Sequence, residues 1–369
     1  MFVRPKKPVP EPHVRHSLAD LGYHIDPEDG LIRSTRTNQP YAFSESDKRH
    51  ATELYRQLVH PASRALLALL TDTLHMDAIP IPSSAQPHCF VYATPRALSS
   101  QQLAVLIVGH GTFAGVWAWN TLLKHGVHQG SMVDYIRALE QRGIGVLVLN
   151  PNMNVVAPDG VAESHSSFTG RGTEIRGSET ADEHVGFVWS QLLRDNSAVH
   201  RIAFVAYNTA GNAVVDLLRY DYTRFVEKAA GVAFIESTHS LFDLGRGSLV
   251  WLAGAAQNWQ TQMGQDAGDT STADRLGCLV VAVENTTESR EMTPALCREG
   301  IVEYLAACLE RGPLPNAADF GPGQGQGENL AQAMDELSDS DNDGGIDSLD
   351  SVEAVQGSHV REDGYIGWD

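Results

Sequence analysis

A doubly wound, mostly parallel α/β sheet with helices on both faces is the fold this sequence predicts, and three observations predict it. Continuous apolar runs recur at Leu103-Ala-Val-Leu-Ile-Val108, Gly145-Val-Leu-Val-Leu149, Arg201-Ile-Ala-Phe-Val-Ala206, Val232-Ala-Phe-Ile235 and Cys278-Leu-Val-Val-Ala-Val283. They lack the alternation of a half-exposed strand, so they read as strands buried on both faces. Helical patterns separate them, at about 131–142, 178–196, 211–221, 240–262 and 294–311. Strand and helix in alternation imply parallel pairing with right-handed crossovers.

The elements follow in order. Residues 1–16 are Pro-rich and charged and read as a mobile N-terminus. Residues 17–43 are rich in turn formers, with Asp26-Pro-Glu-Asp-Gly30 and Asn38-Gln-Pro40 as punctuation. Over 45–76, Leu54, Leu58, Ala62, Leu66 and Leu70 recur at helical spacing. Cys89-Phe-Val-Tyr92 is a short strand. The Ser-, Gly- and Thr-rich insert 152–177 follows a strand end, where open α/β sheets bind ligands. It reads as a loop, with a lid as the alternative. From Gly312 onward Pro and Gly dominate, so the domain is set at 17–312. It divides into an extension, 17–85, and a sheet core, 86–312. Residues 313–369 form a flexible linker and acidic tail.

The net charge of −19 is uneven, because residues 321–369 hold twelve Asp and Glu against one Arg. Phosphate contacts need clustered Lys and Arg, so direct nucleic-acid binding is not expected. Cys89, Cys278, Cys297 and Cys308 lack metal-ligand spacing and fit a reducing compartment. No apolar run approaches the roughly 20 residues of a membrane span, and Met1–Pro12 has no apolar core of a secretory signal. The expected location is the nucleus, the cytoplasm or both, with no membrane partner.

Chemistry should concentrate where strand 201–206 turns into a helix through Ala206-Tyr207-Asn208-Thr209-Ala210-Gly211. Small residues at this turn match the G-x-S-x-G elbow that presents a serine nucleophile, which makes the predicted fold α/β-hydrolase-like. The nucleophile place holds Asn208. Asparagine tolerates the left-handed conformation the turn demands, but its amide nitrogen is no acyl-transfer nucleophile. Gly109-His110-Gly111 stands where an oxyanion loop belongs. Glu236, in Glu236-Ser237-Thr238-His239, occupies the acid place. The segment after Val283 contains no histidine, and Arg290 stands in the base place; arginine is no general base. No triad is intact. Gly109, His110, Gly111, Tyr207, Thr209, Ser237 and His239 are assigned to a vestigial oxyanion loop and pocket.

These segments resemble the Arb-type domain family, named for Argonaute-binding protein two, over about residues 17–310. Leu18-Ala-Asp-Leu-Gly-Tyr23, Gly30-Leu-Ile-Arg33 and the glycine loop carry the resemblance, with Gly143-Ile-Gly-Val-Leu-Val-Leu-Asn-Pro-Asn152 and Glu236-Ser-Thr-His239. The resemblance implies an α/β-hydrolase-like fold with a serine at the elbow, an Asp before Ser-x-His and a His before Glu-x-Thr. Those places hold Asn208, Glu236 and Arg290 here. It also implies a role in gene silencing, through Argonaute or a chromatin-associated protein partner.

In the tail, Asp339, Asp341, Asp343, Asp347 and Asp350 fall at ligand positions of a calcium loop, with Gly344 at the sharp turn. A solvated acidic tail has the same composition. The leading expectation is a non-catalytic protein-binding scaffold without a cofactor. One alternative is an active serine-type hydrolase or esterase with a relocated nucleophile, Thr209 or Ser237. Another is a calcium-responsive binding module.

Overall fold

The computed structural model describes residues 16–43, 48–164, 172–261, 270–285 and 289–311. The expected N-terminal stretch to residue 15, the linker and acidic tail, and the calcium-loop aspartates lie outside the described residues.

The strands are β1 (Tyr23–Ile25), β2 (Ile32–Ser34), β3 (Asp77–Ile81), β4 (Cys89–Ala93), β5 (Gln102–Ile107), β6 (Gly145–Val148), β7 (Val155–Val156), β8 (Ala162–Glu163), β9 (Thr173–Glu174), β10 (Arg201–Tyr207), β11 (Ala229–Ile235), β12 (Ala256–Thr261), β13 (Thr270–Ala273) and β14 (Cys278–Val283). The helices are α1 (Lys48–Ala68), α2 (Trp119–His125), α3 (Val127–Gly130), α4 (Val133–Glu140), α5 (Ala181–Val188), α6 (Ala210–Tyr220), α7 (Tyr222–Lys228), α8 (Arg246–Ala255), α9 (Thr293–Leu296) and α10 (Arg298–Arg311).

Nine strands form the central sheet in the order β3-β4-β6-β5-β10-β11-β12-β14-β13. From β6 to β14 neighbours pair in parallel; β3, β4 and β13 pair antiparallel at the margins. This is the α/β-hydrolase arrangement of an antiparallel margin leading into a parallel sheet. Alternate residues of one strand feed two cores. Ile202, Phe204 and Ala206 pack on the side of α5 to α8, whereas Ala203, Val205 and Tyr207 pack on the side of α1 to α4 and α10. Burial on both faces is why these strands are continuous apolar runs.

Three expectations need correction. The helix expected over 240–262 is α8 followed by β12, a strand inside the sheet. Its sequence, Ala-Gln-Asn-Trp-Gln-Thr, carries little apolar or β-branched character to mark it. The boundary at residue 85 cuts the sheet, because β3 pairs with β4 from Asp77 to Ile81. The extension also shares the main core: Leu58, Ala62, Leu66 and Leu70 of the α1 region pack with Val116 and Leu122. Finally, the insert is not all loop, since β7 pairs with both β8 and β9 in a small sheet.

Candidate functional site

The elbow forms as the sequence requires. β10 ends at Tyr207, Asn208 takes φ +54°, and α6 starts at Ala210. The Asn208 N–H donates to the Ile235 carbonyl at 2.8 Å, which ties the turn to neighbouring β11. Crowding explains the small residues. A Cβ on Gly109 would stand 3.1 Å from the Tyr207 oxygen and 3.3 Å from the Asn208 Cβ. A Cβ on Gly211 would collide with the Ser237 Oγ. The exposed side chain that this geometry presents is a carboxamide.

In Gly109-His110-Gly111, the segment expected to be an oxyanion loop, the central N–H is engaged. In a serine hydrolase an N–H from this loop and the N–H after the nucleophile receive the developing oxyanion. Here the His110 N–H donates to Thr209 Oγ1 at 2.9 Å. The residue after the nucleophile place thus occupies the loop donor with its own hydroxyl. The loop is rigidly held. Asn152 Nδ2 donates to the carbonyls of Gly109 at 2.8 Å and Thr112 at 2.7 Å, and Asn150 Oδ1 accepts from the Ala114 N–H at 3.1 Å. Trp119 Nε1 donates to the Gly111 carbonyl at 3.0 Å.

Glu236 follows β11 at φ +49° and is buried. Its Oε1 accepts from the Thr261 N–H at 2.7 Å and from Thr293 Oγ1 at 2.8 Å. Arg290 Nη1 lies 3.9 Å from Glu236 Oε2, with the arginine side chain 74% exposed. The two charges therefore meet, as an outer ion pair, while backbone and threonine donors hold the carboxylate. Asn208, Glu236 and Arg290 follow the C-terminal ends of β10, β11 and β14, the same edge of one sheet. Tyr207 is buried beneath this edge. Burial first, then the carboxylates of Glu291 and Glu236, push its phenol above the ordinary range.

Ser237 and His239 face inward. Ser237 Oγ lies 3.0 Å from His239 Nδ1, and His239 Nε2 lies 2.8 Å from the Leu276 carbonyl. A carbonyl can only accept, so Nε2 carries the proton and the serine hydroxyl donates to Nδ1. Both side chains are buried, and the imidazole stacks on Phe234 at 4.2 Å. Burial lowers the His239 pKa. This pair has the bonding of a catalytic dyad without solvent access. Thr209 is exposed, but its oxygen meets a backbone N–H in place of an imidazole.

A second hydroxyl–imidazole pair lies deeper. Ser178 Oγ is hydrogen-bonded to His184 Nδ1. His184 Nε2 accepts from the Asn150 N–H at 3.3 Å. Cys89 Sγ is 3.5 Å from Ser178 Oγ. Burial lowers the pKa of His184 to about 3, so the ring is neutral and its Nδ1–H donates to the serine. The cluster supports the Asn150–Asn152 turn from below.

Sequence reasoning did not assign roles to Asn150, Asn152, Thr261, Thr293, Ser178 or His184. The Leu-Asn-Pro-Asn segment was the one available signal for the first two. Among the described residues no group of His, Cys, Asp and Glu could hold a metal ion, and no helix is long and apolar enough to cross a membrane.

The sequence description of the Arb2 domain matches residues 14–263. A chicken (Gallus gallus) protein named cotranscriptional regulator ARB2A homolog is 24% identical, over 83% of this chain and 83% of its own. The mouse (Mus musculus) cotranscriptional regulator ARB2A is 24% identical, over 77% of this chain and 78% of its own. Among solved structures, a histone deacetylase from Saccharomyces cerevisiae superposes with a TM-score of 0.47 at 15% identity, covering 68% of this chain and 98% of that one.

Proposed function

Because the chain belongs to the Arb2 domain family, we propose that it is an α/β-hydrolase-like scaffold without hydrolase chemistry, acting through protein partners in transcription-coupled regulation. One observation carries the reading. The left-handed elbow presents Asn208, and the loop donor that should await an oxyanion is bonded to Thr209. A carboxamide cannot attack an acyl carbon, and an engaged N–H stabilises a transition state less. Arg290 stands in the base place, and a guanidinium is a donor with no acceptor site.

The fold, by contrast, is kept with care. Asn150 and Asn152 hold the loop, and Thr261 and Thr293 hold the carboxylate. Preserved geometry without reactive groups fits a binding surface. Relatives that carry the name cotranscriptional regulator support a nuclear setting and a chromatin-associated partner; Argonaute is the more specific partner within this proposal. Direct nucleic-acid contact is not part of it, given the net charge of −19.

The test is co-purification of the full chain with nuclear transcription complexes, comparing the natural protein with Asn208→Ala. Equal association, with no ester turnover in either, supports the proposal. A turnover that vanishes with Asn208→Ala, together with association, contradicts it. The aspartate spacing at Asp339–Asp350 motivates a separate proposal of calcium binding. Calorimetric titration of the full chain with Ca²⁺ tests it, and absence of heat removes it.

A further inference from the structure

We draw no further inference here: the strongest candidate, the surface patch where Tyr220 at the end of α6 and Phe242 in the loop between β11 and α8 stand 80% and 83% exposed on either side of Arg219, carries none, because nothing in the structure shows what covers it.

Discussion

Two regions of the molecule bring polar side chains together, and they do so for opposite ends. Beneath the Asn150–Asn152 turn, Ser178, His184 and Cys89 form a closed cluster. At the open edge, Asn208, Glu236 and Arg290 follow three strand ends, where the sequence leads one to expect a catalytic relay. The serine and histidine that chemistry would require are found where water and substrate are excluded, and are missing where both have access. Adjacent hydroxyl and imidazole groups are thus no evidence of catalysis. What counts is whether a strained turn carries the hydroxyl to an accessible place.

If the inner cluster is structural, breaking it should be costly. His184→Ala leaves the Asn150 N–H and the Ser178 hydroxyl without their partner and opens a void. A loss of about 3 kcal/mol in denaturant unfolding is expected; a loss below about 1 kcal/mol would remove the cluster's structural role. Asn152→Ala removes one of two donors to the Gly109 carbonyl, which keeps the Thr112 hydroxyl, and the side-chain donor to the Thr112 carbonyl; stability should fall by about 2 kcal/mol, read from the same unfolding curves.

Acid should act on the inner region in a predictable direction. His184 titrates at about 3 when folded, against about 6.5 in an unfolded chain. The unfolded state therefore binds more protons between those values. This contribution is fully present above about pH 6.5 and is lost as pH falls toward 3, by up to about 1.4 kcal/mol per pH unit. Stability measured against pH should show that slope, and His184→Gln should flatten it. The outer region should respond least. Arg290→Ala removes a side chain that is 74% exposed and 3.9 Å from its partner, so a change below about 0.5 kcal/mol is expected in thermal unfolding. A larger loss would make the outer ion pair a structural element.

The same contrast describes what could be read from the sequence. β5, β6, β10, β11 and β14 were legible because both faces are buried and their residues are continuously apolar. β12 was not, since Asn258 and Gln260 interrupt its apolar character; their amides serve Ser237. At the site, Asn208 and Glu236 were legible because each directly follows a strand that announces itself. Thr209 as an acceptor for His110, Asn152 as a clamp on Gly109, and the Ser178–His184 pair were not. Each joins segments whose approach is set by tertiary packing, and no local periodicity encodes it. Ser237 and His239 were legible as neighbours, but their inward direction depends on Leu276 and Phe234, distant or preceding in the chain.

Reaction with a fluorophosphonate, followed by the intact mass of the full chain, probes the elbow most directly. An unchanged mass is predicted, both for the natural protein and after Thr209→Val releases the loop donor. An adduct mapped to Thr209 or Ser237, accompanied by ester turnover, would mean that a nucleophile operates here after all.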